Sequence, residues 1–205
     1  MSIRFIGQLI FMTFPLLGAL QVTDSALNAD RPPAGYELNC ESENFSFQPG
    51  EELVYKIYYN LNFIWIPAGE IKFNVFNGPG TYEFTAYGTT YPSYEWFYKV
   101  HDIYRTTVDK SSLLPTYSMR HLQEGGYRLY EEVVYDQEEG EAKVLRGRDK
   151  ASATDRGIVD FGNCANDIVS LLYKLRNVDM EALKTAGEMP VDFFMGKEYN
   201  VKLRY

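Results

Sequence analysis

Along most of the chain apolar and polar side chains alternate in short runs, each closed by glycine, proline or acidic residues after about ten positions. Period two sends successive side chains to opposite faces, so the pattern predicts antiparallel strands. Residues 52–59 set Leu53, Tyr55, Ile57 and Tyr59 against Val54, Lys56 and Tyr58. Residues 69–76 set Ile71, Phe73 and Val75 against Glu70, Lys72 and Asn74, and Asn77-Gly78-Pro79-Gly80 supplies a turn into a third strand over 82–90. Further strands are predicted over 103–109, 116–122, 127–136 and 141–148, broken at Leu114-Pro115, Glu124-Gly125-Gly126 and Glu138-Glu139-Gly140, which makes seven. Two stretches depart from the alternation. Leu61, Phe63, Ile64, Trp65, Ile66 and Pro67 read as an apolar loop, and Pro92-Ser93 opens a short helical turn that gathers Tyr94, Trp96, Phe97 and Tyr98.

Helical spacing first appears over 165–177, where Ile168, Leu171, Leu172 and Leu175 share one face and Asn163 or Asn166 can cap the start. This helix is expected to lie across the sheet. A second short helix over 180–186 precedes a hairpin, 190–194 and 199–205, turning at Gly196-Lys197. The last run stops at Tyr205 without a turn, which reads as a closing edge strand or, the favoured expectation, a fragment of a longer protein. The fold class predicted is mainly β: a curved antiparallel sheet or half-barrel with one packed helix.

The first residues differ from the rest. Arg4 precedes a stretch, 5–20, without a charged side chain, interrupted by Gly7, Gln8, Thr13, Pro15 and Gly18. This is an export-signal pattern rather than a permanent span, for which about 20 mostly apolar residues are needed. Cleavage is expected within residues 1–29, after Ala19, Ala26 or Ala29. Gly18 and Ala19 are followed by Leu20 rather than cysteine, which disfavours a lipid anchor and predicts a soluble periplasmic protein with no stable membrane span after cleavage. Residues 30–44 then read as a flexible leader and 45–205 as a single domain.

A formal net charge of −8 and a sequence pI of about 4.9 exclude nucleic acid as an expected partner, since no basic stripe overrides the repulsion. Cys40 and Cys164 are the only cysteines, and two readings stay open: a disulfide formed in an oxidising compartment, or two unrelated small buried residues.

Candidate chemistry is sparse. His101 and His121 have no metal-ligand spacing, so no metal is expected. No phosphate-binding glycine loop, nucleophile elbow or calcium loop occurs, and no cofactor is assigned. Glu51-Glu52, Glu131-Glu132 and Glu138-Glu139 are sequence neighbours, which strands send to opposite faces, so they read as solvated charges. Asp102 and Asp109 flank Arg105 and suggest a structural ion pair. No catalytic residue is assigned and the chain is expected not to be an enzyme. The disproportionate feature is aromatic: 17 tyrosines, 13 phenylalanines and 2 tryptophans, 16% of the chain. Most suit cross-strand pairing. Phe63, Trp65, Tyr91, Tyr94, Trp96 and Phe97, which fall where alternation fails, are the candidate ligand-lining residues for an apolar guest.

Phe47-Gln48-Pro49-Gly50-Glu51-Glu52-Leu53-Val54-Tyr55, followed by Pro67-Ala68-Gly69-Glu70, resembles domain-of-unknown-function family 3108. Phe97-Tyr98-Lys99-Val100-His101-Asp102, Thr107-Val108-Asp109, Leu114-Pro115 and the helix Asp167-Ile168-Val169-Ser170-Leu171-Leu172-Tyr173-Lys174-Leu175-Arg176 extend the resemblance from about Phe45 to the end of the chain. It implies an exported envelope protein of Gram-negative bacteria, many of them Bacteroidetes, with no assigned catalytic residues and a sheet-plus-helix layout like the half-barrel of periplasmic lipoprotein carriers. Members continue with further strands past such a hairpin. Within the helix, Ser170, Tyr173 and Arg176 repeat every third position and read as a polar stripe beside the leucine face.

The leading functional expectation is a non-enzymatic periplasmic module that binds a lipid-like or other apolar small molecule in a curved sheet. The alternative is a scaffold or accessory protein that binds another envelope protein through a sheet edge or aromatic loop. An enzyme acting on cell-surface glycans or lipids is a third reading without converging acids in the sequence.

Overall fold

Each alternating run becomes a strand in the computed structural model, which describes residues 40, 42–61, 64–162 and 164–204. The expected export signal, Phe63 and the proposed cap Asn163 lie outside the described residues. Eight strands follow one another as an antiparallel meander: β1 (Glu52–Leu61), β2 (Ile64–Gly78), β3 (Thr81–Thr90), β4 (His101–Asp109), β5 (Pro115–Glu124), β6 (Tyr127–Asp136), β7 (Glu141–Gly147) and β8 (Thr154–Asp160). The sheet is open, with β1 and β8 at its edges. Helices α1 (Ile168–Leu175) and α2 (Met180–Ala186) lead to a separate hairpin, β9 (Glu188–Phe194) and β10 (Glu198–Arg204). No helix among the described residues is long and apolar enough to cross a membrane.

The reading of the sheet is corrected at two places. Residues 64–67 belong to β2, not to a loop: Trp65 pairs with Asn60 and Ile66 with Tyr59. Their alternation is hidden because the register slips between Ile57 and Tyr58, and because Pro67 lies beyond Thr90, where β3 no longer flanks β2 and a missing N–H costs no ladder bond. At the slip, Gly69 approaches the Thr89 carbonyl so closely that a β-carbon would collide with it. The eighth strand, β8, was not predicted, for its residues Thr154, Asp155, Arg156 and Gly157 carry no apolar alternation and lie exposed at an edge.

Register divides the sheet into two faces. Phe73, Val75, Phe84, Ala86, Tyr104, Thr106, Val133 and Val144 share the face covered by α1 and the hairpin, whereas Lys72, Thr85, Arg105, Met119, Glu132 and Lys143 share the other. The covered face is filled by the chain's own rings. Tyr173 of α1 stacks on Phe84 at 4.0 Å, and Phe47, from the segment before β1, meets both edge-on at 5.1–5.3 Å. Further along, Val133, Tyr135, Ala142 and Val144 close on Phe161 and Phe194. The opposite side of α1, through Leu171 and Leu175, packs against Met189, Val191, Val201 and Leu203 of the hairpin. The helix is thus buried on two sides, between sheet and hairpin.

The helix is shorter than its apolar spacing predicts. Asp167, rather than either asparagine, is the N-cap: it accepts from the amides of Val169 (2.8 Å) and Ser170 (3.4 Å), while Ser170 Oγ accepts from the Asp167 amide. Asn166 is used instead in a parallel bridge to Phe193. Ser170 and Tyr173 are therefore buried on the sheet side and do not form the expected polar stripe. The structure joins Cys40 to Cys164, with α-carbons 5.0 Å apart and a sequence separation of 124.

Candidate functional site

The connections β1–β2, β3–β4, β5–β6 and β7–β8 all lie at one end of the sheet, the upper end, remote from the β2–β3 and β4–β5 turns that flank the α1 contact. Strand polarity puts the start of β2, residues 64–67, and the excursion between β3 and β4 at that same end. The excursion between β3 and β4, residues 91–100, leaves the sheet with Tyr91 donating its amide to the Ala68 carbonyl (2.9 Å). It returns where Val100 pairs with Glu124. Between them, Pro92–Tyr94 forms a 3-10 turn, as the proline at its first position favours.

The predicted ligand residues occupy different surroundings at this end. Trp96 and Phe97 are 84% and 73% exposed, with ring centroids 6.0 Å apart, so the tip of the excursion is an aromatic pair in water. Tyr91 and Tyr94 are half-buried in its stem. Trp65 is 51% exposed, but its register with Asn60 places it on the face opposite α1. Within the excursion, Lys99 forms an ion pair with Glu95 (3.1 Å), and the amides of Phe97 and Tyr98 donate to the Tyr94 carbonyl.

Beneath the stem lies a pair of acids. Asp102 on β4 and Glu124 on β5 share the α1 face of the sheet, with Glu124 opposite Val100, and their carboxyl groups lie within reach of a shared proton. Asp102 is 8% exposed and also accepts from the Gln123 amide at 2.9 Å. Burial raises both carboxyls above their ordinary range, and for Glu124 the charge of Asp102 raises it further. Tyr98 lies across the same spot: its phenol is raised by burial and then by Glu124 and Asp102, and its ring rests on Gly125, where a β-carbon would stand 2.9 Å from Cε2. Gly125, at φ +56°, donates its amide to the Lys99 carbonyl at 2.7 Å. The stem, the acids and the β5–β6 turn are thus one contact.

Sequence reading missed this pair and mispaired Asp102. Arg105 points to the opposite face and joins Glu83 at 3.4 Å, while Asp109 receives the amides of Ser111 and Ser112 in the β4–β5 turn. Glu131 is likewise not a solvated charge. It is 2% exposed, 2.8 Å from Arg120 and 3.6 Å from Arg146, and Arg120 continues to the Met195 carbonyl of the hairpin turn. Glu51 and Glu52 separate as expected, to Arg176 and Lys72. His121 packs its ring against Tyr130 on the face away from α1, and His101 shares that face.

The model of a family described as Protein of unknown function (DUF3108) matches residues 54–205. No curated protein and no solved structure matches the chain.

Proposed function

This chain belongs to the family of proteins of unknown function DUF3108, and from that premise we propose that it is a non-enzymatic protein of the bacterial envelope that holds an apolar, lipid-like group at the upper end of its sheet. The observation that carries the reading is the exposed pair Trp96 and Phe97 on an excursion from an otherwise regular meander. Burying the two rings would remove several kcal/mol of unfavourable hydration at about 25 cal/mol per Å². A contiguous exposed aromatic patch is the usual mark of an interaction surface.

The guest is placed at the end of the sheet rather than between helix and sheet. That interior is occupied by Phe47, Phe84, Tyr173 and Phe194, and a carrier-like cavity there would have to displace them. Export to the periplasm rests on the charge and apolar pattern of residues 1–29.

Titration of the purified protein with a fluorescent fatty acid, alongside native mass spectrometry of protein recovered from the periplasm, tests the reading. Saturable uptake is expected, weakened at least about tenfold in the double variant Trp96→Ala, Phe97→Ala. Bare protein with no uptake by the unaltered chain sinks it.

One observation favours the scaffold as a second reading. β1 is an edge strand of ten residues, and Val54, Ile57 and Tyr58 on it are exposed. Such an edge suits strand addition by a protein partner. A stoichiometric crosslinked partner lost with a proline in β1, and kept when Trp96 is removed, distinguishes it from the lipid reading.

A further inference from the structure

Two acids that share a hydrogen bond on adjacent strands cannot both ionise without a like-charge contact. Among the described residues, no lysine or arginine forms an ion pair with Asp102 or Glu124. The groups around them are Tyr98 from the excursion, Tyr104 beside Asp102 on β4, Arg120 on β5 and Tyr127 on β6. β3 presents only Gly88, whose position faces Asp102. Arg120 is committed to Glu131 and Met195, and Arg128 donates to the Gly125 and Tyr127 carbonyls. Lys99 of the stem is paired with Glu95, so among the described residues no cation forms an ion pair with either acid to offset the second negative charge.

The two acids differ in how firmly they are held. Asp102 lies within a strand and is strapped by the Gln123 amide, whereas Glu124 is the last residue of β5 and adjoins the Gly125 turn. Repulsion is relieved most cheaply by Glu124 turning outward. The two contacts that fix the stem, Tyr98 on Gly125 and the Gly125 amide to Lys99, are attached to that same turn.

We propose that Asp102 and Glu124 form a proton-operated latch: with the shared proton in place the aromatic excursion is pinned to the β5–β6 turn, and loss of the proton frees it. The proposal deepens the lipid-binding reading, on which it rests only for its purpose, by making the presentation of Trp96 and Phe97 dependent on pH. The chemistry is a single deprotonation. The proton leaves to solvent as Glu124 becomes a second carboxylate, and no bond to carbon changes.

Amide exchange in the full chain, expressed as protection relative to each amide's intrinsic rate at the same pH, reads the latch without any ligand. Between about pH 5 and about pH 9, protection of the Gly125 and Val100 amides is expected to fall at least about tenfold, while that of Val133, inside β6, holds. Glu124→Gln, whose amide keeps donating to Asp102 and has no proton to lose in this range, should keep the high value throughout. A flat profile in the unaltered protein, or an equal fall in Glu124→Gln, overturns the proposal. Should that variant fail to fold, Asp102→Asn preserves the acceptor for the Gln123 amide and donates to Glu124, and is expected to flatten the profile equally. A failed fatty-acid titration leaves the latch standing, and a flat exchange profile leaves the titration standing, so the two readings fail separately.

Discussion

Arg176 donates through both terminal nitrogens to Glu51, Nη1 to Oε1 at 2.5 Å and Nη2 to Oε2 at 3.0 Å, tying the end of α1 to the residue that enters β1. Nη2 also reaches the Ser46 carbonyl at 2.8 Å, and the guanidinium lies over the rings of Phe47 and Tyr173. A paired, forked contact of this kind is stronger than an exposed ion pair. Arg176→Ala is expected to cost about 1–3 kcal/mol, and Arg176→Lys most of that, because an ammonium cannot make the two-pronged contact. Urea unfolding of the two variants checks it. Equal stability of the lysine variant and the unaltered protein would contradict the assignment.

Glu131 offers a sharper case. Its carboxylate is buried between Arg120 and Arg146, and Arg120 bridges onward to the hairpin turn at Met195. Glu131→Ala leaves two cations beside an apolar interior, with an expected loss of about 3–5 kcal/mol. Loss of protection against proteolysis should concentrate in residues 188–204, since the hairpin loses its polar tether first.

Acid–base linkage gives a signed prediction. The folded values of Asp102 and Glu124 are raised, so their stabilisation is complete below the unfolded carboxylate range and is lost as pH rises through the raised values. Asp167, buried under α1, acts in the same sense. Lys174 opposes them: burial pushes it down to about 8, so the penalty for its charge is present below that value and relieved as pH rises through it. The pair is isolated by difference. Stability of the unaltered protein minus that of Glu124→Gln, followed by urea midpoint against pH, is expected to decline monotonically from acid to alkaline pH. A rise would reverse the sign argued for the pair.

Joining Cys40 to Cys164 closes a loop with 124 residues of separation. In the chain-entropy account a loop of that length stabilises by roughly 4 to 5 kcal/mol. The double variant Cys40→Ser, Cys164→Ser should therefore melt well below the oxidised protein, and reductant should leave the variant's melting temperature unchanged.

Much of this architecture is legible in the residues. Leu53, Tyr55 and Ile57, or Ile71, Phe73 and Val75, announce strands because one face must be apolar and the other need not be. The failures have separate physical causes. At Trp65-Ile66-Pro67 a register slip shifts the phase of the alternation, and a period read through the slip vanishes. In β8 an edge strand with little to bury shows no period at all. The extent of α1 was overestimated because Ala165 and Asn166 are helix-compatible, yet are bound to Gln137 and Phe193. The aromatic clusters of the candidate site were visible as breaks in pattern. The acid pair was not, since its formation depends on which residues of β4 and β5 face each other, and a register is a property of two strands rather than of either.

The position of α1 between sheet and hairpin has a consequence for how the molecule is made. Synthesis delivers β1 to β8 first, with Val75, Phe84, Val133 and Tyr135 on a face that has no cover yet. The hairpin that holds the helix down on them follows all eight strands in the chain. Until it arrives, these sheet residues present a bare apolar surface, on which association with other chains competes with folding. The closing step thus waits on residues 188–204, and the period of greatest exposure falls between the completion of β8 and the arrival of that hairpin.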